Sequence, residues 1–236
     1  MPDRRRYPVI VVTLCYALAA CQDSSGPEPF KPTLDEAVCA PTAGPFSSTI
    51  TNPYFPAAVG NQWVLDGTDQ GKAVNLQITP LNATEVVAGV TTRVVEERET
   101  VDGELLEVSR NFFAQAQDGT VCYYGEDVDI YSGGVITSHD GQWRAGVSGA
   151  SPGILMPADP APGQAFVQEI APGVAQDRVE IVAAGESVTV PFGTFTNTIR
   201  FRETTPLEPG VKSTKVYVQS LGPIVDDEVR LTGKTP

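Results

Sequence analysis

A chain of 236 residues with 16 Lys and Arg against 29 Asp and Glu carries a net charge of −13, with no basic cluster beyond Arg4-Arg5-Arg6. That excludes nucleic-acid binding, which needs a basic patch to displace counterions from phosphates, and it disfavours peripheral attraction to anionic lipid. The single histidine, His139, excludes multi-histidine metal sites, and neither a metal nor a cofactor is expected.

Residues 1–20 have the shape of a signal peptide: three arginines followed by an uncharged, mostly apolar stretch from Tyr7 to Ala20. At fourteen residues the stretch is shorter than the roughly 20 needed to cross a bilayer, so a permanent span is not expected. Removing residues 1–20 leaves 13 basic and 28 acidic residues, a net charge of −15.

Residues 21–33 follow as a tether: Gln22 to Pro32 is polar and Pro-rich, and about ten such residues reach about 30 Å if extended. The remaining domain, 34–236, begins with a segment of weak periodicity, Leu34 to Asn52, that carries Cys39. Cys39 and Cys122 are the one cysteine pair left in what would be an oxidising compartment, and a disulfide between them is expected.

From Gln62 onward, short runs rich in Val, Ile, Thr, Tyr and Phe alternate with turn pairs such as Asp102-Gly103, Asp118-Gly119, Gly133-Gly134 and Asp140-Gly141. No helical stripe and no βα alternation intervenes. The expectation is an all-β fold: a single antiparallel meander domain whose curved sheet forms a half-barrel or a barrel-like sandwich. Asp227 interrupts the apolar alternation of Val225, Val229 and Leu231, which suits a sheet edge.

Ala145 to Gln164 breaks the β rhythm with four prolines and four glycines and is expected to be a long loop. Its apolar run Ile154-Leu155-Met156, with Trp143 beside it, either plugs the core or lines the mouth of a ligand site; these four are the candidate ligand-binding residues.

Other candidate chemistry is thinner, and no catalytic residue is assigned. Ser138-His139-Asp140 is a tripeptide, whereas a nucleophilic triad is a spatial constellation, and no G-x-S-x-G elbow is present. Glu126-Asp127-Val128-Asp129 offers hard oxygen ligands but lacks the spacing of a calcium loop, and a solvated acidic hairpin is the simpler account. Glu97 and Glu99 share one strand face while Glu96 points away, the arrangement of either a carboxylate pair or a half-exposed strand.

Two resemblances add to this. Leu18-Ala19-Ala20-Cys21 resembles the lipobox of bacterial lipoprotein precursors, which implies diacylglycerol on the Cys21 thiol, cleavage before Cys21, and acylation of the new amino group. Two or three acyl chains anchor stably where one does not, so the partner implied is a membrane, reached through the lipid. Gln22 after Cys21 points to the outer membrane in a two-membrane bacterium.

The stretches "NPYFPAAVGNQWVLDG", "VVEERETVDGELLE", "FFAQAQDGTVCYYGEDV", "GQWRAGVSGASPGILMPADPAPG" and "VTVPFGTFTNTIRFRETTPLEPGV" resemble a group of uncharacterised bacterial exported proteins and lipoproteins. That likeness implies an all-β domain beginning after Asn52-Pro53-Tyr54 and a hairpin at 190–195, and it assigns no functional residue. The expected function is a membrane-anchored cell-envelope protein, not an enzyme, whose acidic β domain binds an apolar ligand or an envelope protein. The alternatives are a structural or assembly role and, more remotely, a carboxylate- or metal-dependent hydrolase.

Overall fold

β-branched and aromatic runs have an apolar face to bury, and two-residue turns lay each run beside the last. In the computed structural model, which describes residues 30–235, this logic produces seventeen strands. The first meander is β1 (Gln62–Asp69), β2 (Lys72–Val87), β3 (Val90–Val101), β4 (Glu104–Gln115) and β5 (Val121–Ser132). Short strands β6 (Val135–Ser138) and β7 (Trp143–Arg144) pair with the far half of β5, and β8 (Ser151–Met156) with its near half.

The chain continues through β9 (Ala165–Val167), β10 (Glu169–Ile170) and β11 (Arg178–Ala184). The hairpin β12 (Val188–Val190) and β13 (Gly193–Phe195) follows, then a second meander of β14 (Thr198–Thr204), β15 (Ser213–Val218), β16 (Gly222–Asp226) and β17 (Val229–Thr235). The expected 190–195 hairpin is therefore present.

Fifteen strands join one antiparallel sheet, in which β17 pairs with β1 and so links the two meanders. The opposite ends of that sheet are β9 and β10, consecutive pieces of one segment separated by Gln168 alone. β9 pairs with β11 and β10 with β8. One stretch of chain thus draws the two ends of the sheet together, and the result is a nearly closed, barrel-like wall. Gly153 stands at this seam because a Cβ there would come within 2.4 Å of the Gln168 carbonyl oxygen.

Four turns share one end of the barrel or its flank: Gln70-Gly71, Asp102-Gly103 and Gly133-Gly134 follow β1, β3 and β5, and Asp227-Glu228 links β16 to β17. The other end is plugged. Phe55 stacks on Trp63 and meets Phe113 edge-on, with centroids 6.1 and 5.6 Å apart. Asn52 fastens this plug: its amide donates to the carbonyls of Gly119 and Pro157 at 3.0 and 2.9 Å, while its Oδ1 accepts from the Tyr54 N–H at 2.9 Å. This is the structural use of the Asn52-Pro53-Tyr54 start.

Cys39 lies in the first of two short 3-10 turns (Glu36–Cys39 and Pro41–Ala43) and is bonded to Cys122 on β5. Two expectations need correction. The stretch 145–164 is not one loop, because β8 occupies its middle and pairs with both β5 and β10. Asp227 is not at a sheet edge; it sits in the β16–β17 turn with φ of 45°, where its carboxylate accepts from the Thr214 N–H at 2.7 Å.

Candidate functional site

Register decides what faces the barrel interior. Ile78 on β2 lies opposite Glu97 on β3, Glu97 opposite Ser109 on β4, and Asn111 on β4 opposite Glu126 on β5. Across the interior, Glu203 on β14 lies opposite Val179 and Ser213, and Lys215 on β15 opposite Phe201 and Asp226. Toward the plug this inner face is apolar and aromatic. Toward the hairpin turns it carries Glu97, Glu107, Glu126, Glu203, Asp226 and Lys215, joined by Glu169 from β10.

A cavity of about 30 Å³ opens in this polar end, lined by Leu76, Glu97, Glu99, Glu107 and Ser109. Lys215 Nζ stands 3.5 Å from Glu203 Oε2 and 3.5 Å from Asp226 Oδ2. Ser213 donates to the same Glu203 Oε2 at 3.2 Å. Tyr123 donates its hydroxyl to Asn111 Oδ1, and Asn111 donates onward to Ser109 Oγ at 3.3 Å. Among the described residues, two buried side-chain polar atoms have no partner, Glu203 Oε1 and Trp143 Nε1, although both residues are only 6% exposed.

Burial governs the protonation of this group. Desolvation, opposed by Lys215 and reinforced by smaller contributions from Asp226, Glu107 and Glu203, pushes the Glu97 carboxyl up to about 7. Glu126 is pushed up to about 8, first by desolvation and then by Glu107 and Glu97. Glu169 is raised well above the carboxylate range by desolvation and by Glu126, and desolvation also raises Glu203 and Asp177. Lys215 keeps its proton against desolvation because Asp226 and Glu203 hold it.

These shifts set the pH dependence of stability. The folded protein holds protons on Glu97 and Glu126 that the unfolded chain releases near 4.5, so stability is fully present below that pH and falls as pH rises to about 8. With about 1.4 kcal/mol per pH unit for each group, urea unfolding at pH 5 and pH 8 is expected to differ by about 3 kcal/mol or more, in favour of pH 5. Glu126→Gln is expected to flatten the slope. A stability that rises with pH over this window contradicts the burial of these carboxyls.

The residues singled out in the sequence fall as follows. Ile154, Leu155 and Met156 are buried in the hydrophobic core, with Ile154 opposite Cys122, and none of them lines the cavity above. Trp143 is likewise buried but lies beside the polar end: it is opposite Glu126 in register, and its ring is 5.3 Å from that of Tyr123. Glu97 and Glu99 do share a face, and that face is internal. Glu96 is outside, near Arg98 and Arg110.

Glu126 is separated from its acidic neighbours, because Asp127 bonds Arg144 and Asp129 bonds Arg110. His139 directs Nδ1 at the Val128 carbonyl, 2.7 Å away, while the Ser138 hydroxyl accepts from the Asp140 N–H, so the three form a turn and not a triad. Cys21 lies outside the described residues. Glu107, Glu169, Glu203, Lys215 and Asp226 were not singled out; the one signal that could have found them is a charge at an alternating strand position where an apolar residue is due.

Among the described residues, no three His, Cys, Asp or Glu side chains are arranged to hold a metal ion. No protein-family model matches the chain, and neither a curated protein nor a solved structure is detectably similar to it.

Proposed function

We propose that this chain is a lipid-anchored protein of the cell envelope whose β domain is a binding module, with the carboxylate-lined end of the barrel as its ligand site. The observation that carries the binding role is the gathering of Glu97, Glu126, Glu169 and Glu203 inside a barrel whose other end is packed with apolar side chains. An interior carboxyl costs stability that an apolar side chain of similar size does not. Groups of this kind, with strongly shifted protonation, concentrate where a protein handles something.

The anchor rests on separate ground, the Leu18-Ala19-Ala20-Cys21 motif after its short apolar run. Acyl chains on Cys21 hold the domain at a membrane surface, and in a two-membrane bacterium Gln22 favours the periplasmic face of the outer membrane. The earlier expectation of an apolar ligand gives way to a charged or polar one, because the four apolar candidates are core residues and the unpartnered atoms are polar.

Both parts are testable in one preparation of the full chain from membranes. Its intact mass is expected to exceed that of the 21–236 chain by two or three acyl groups, with Cys21→Ala released into the soluble fraction. Thermal shift and tryptophan emission are then followed against small cationic, neutral and anionic compounds. Stabilisation by cationic or neutral polar compounds alone, lost in Glu126→Gln, is the expected result; a response confined to apolar or anionic compounds sinks the proposal for this site.

A further inference from the structure

We propose that Thr33 to Cys39 form a strap across the joint between β8 and β10, and that the barrel wall opens at this joint when the strap lets go. The inference concerns the wall itself and holds whatever the interior binds.

The joint is short. β8 and β10 meet through two residue pairs, Glu169–Pro152 and Ile170–Ser151, where β1 and β17 meet through six. Pro152 has no N–H, and the Glu169 N–H is given to the Asp177 carbonyl at 3.2 Å, so the first pair has no free donor to send across. The β16–β17 joint is equally short, but the two-residue turn Asp227-Glu228 ties it covalently. On its other side the segment is held firmly: Gln168 also donates to the Asp177 carbonyl, at 2.8 Å, and β9 pairs with β11 from Ala165–Glu180 to Val167–Arg178. Residues 165–170 therefore belong to the second meander, and their contact with β8 is where the wall parts at least cost.

The strap bridges the two sides from outside. At one end the Thr33 and Leu34 N–H groups donate to the Ala165 carbonyl on β9 at 2.7 and 3.1 Å, and Thr33 Oγ1 accepts from the Ala165 N–H at 2.8 Å. At the other end Cys39 is bonded to Cys122 on β5, and its carbonyl accepts from the Tyr124 hydroxyl. Cys122 and Tyr124 flank the inward-facing Tyr123, so both point to the outer wall. Asp35 Oδ1 accepts from the Ala37 N–H at 2.9 Å and keeps the strap compact. A groove lined by Asp35, Ala37, Ala40, Pro41, Ser151 and Pro152 separates the strap from the start of β8 and leaves those last two residues room to move outward. One end is covalent and the other is hydrogen-bonded, so release occurs at Thr33. Glu169 is only 8% exposed and belongs to the joint, so opening there admits water to the polar interior.

The test is hydrogen exchange of the full chain in detergent, read by mass spectrometry on peptides covering β8 and β10 and, for reference, β3. In the parent protein the joint amides are expected to exchange at least about tenfold faster than those of β3, which marks opening short of global unfolding. Thr33→Pro removes the Thr33 N–H and hydroxyl together and is expected to raise exchange at the joint by about another tenfold while leaving β3 unchanged. Should that variant fail to fold, Thr33→Val removes the hydroxyl alone, with a rise of about fivefold expected at the joint. Thr189→Val, which loses the bond to Thr194 on the separate β12–β13 hairpin, is expected to change nothing at the joint. Joint amides as slow as those of β3 in the parent overturn the opening. Fast exchange that ignores Thr33 overturns the strap, and so does a rise in the Thr33 variants that is equal at β3, because it marks a general loss of stability.

Discussion

Replacing Ile154, Leu155 and Met156 together by serine is expected to unfold the domain at room temperature. Ile154 and Met156 are 1% and 0% exposed, and Leu155 is 8% exposed, so all three belong to the core. Burying a large apolar side chain is worth about 1.5 to 3 kcal/mol, and serine adds a hydroxyl that needs a partner. Summed over three positions the loss reaches about 5 to 9 kcal/mol, which is comparable to the whole stability of a typical domain. Circular dichroism and a urea titration of the variant read this directly. A folded, cooperative variant with a midpoint near that of the parent requires these side chains to lie at an accessible mouth, contrary to their burial.

Removing the disulfide is the next largest effect. The bond ties residues 83 apart in sequence, so cutting it returns the entropy of a long loop to the unfolded chain. The double variant Cys39→Ala, Cys122→Ala is expected to lose about 4 to 5 kcal/mol by that measure. The link also holds the Glu36–Cys39 turn against β5, where the Tyr124 hydroxyl donates to the Cys39 carbonyl at 2.8 Å. Urea midpoints with and without reductant, alongside non-reducing peptide mapping, measure the loss. A change below about 1 kcal/mol means that the native chain does not depend on the bond.

The all-β architecture was legible because its signals are local: Val/Ile/Thr/Tyr runs, and turn pairs such as Asp102-Gly103 and Gly133-Gly134, both of which take positive φ. Ala88-Gly89 turns the β2–β3 hairpin in the same way, with φ of 50° at Ala88, but its sequence carries a weaker turn signal because alanine is an uncommon residue there. Closure was not legible, since the pairing of β17 with β1 joins residues far apart and leaves no local mark.

The misjudged stretch at 145–164 has a different cause. Pro152 is the second residue of β8 and Pro157 follows its last, so the density of proline and glycine masks a six-residue strand; Pro152 is tolerated near the start of that strand, opposite Glu169 on the two-residue β10. The carboxylates were half legible. Alternation placed Glu97 and Glu99 on one face, but alternation alone does not say which face is inside when both carry charge, and only the register with Ile78 and Ser109 assigns Glu97 to the interior.

The pairing of β17 with β1 also sets a timetable. Thr232 bonds the Val64 carbonyl across 168 residues of chain, and no earlier strand provides that neighbour for β1. Until the last stave arrives, the acidic inner face remains wet and Glu97 and Glu126 lack the desolvation that raises them. Their protons are taken up only when the wall is completed. Under the proposed export of the chain, this order of events would keep the unfinished barrel highly charged and soluble for as long as it stays open.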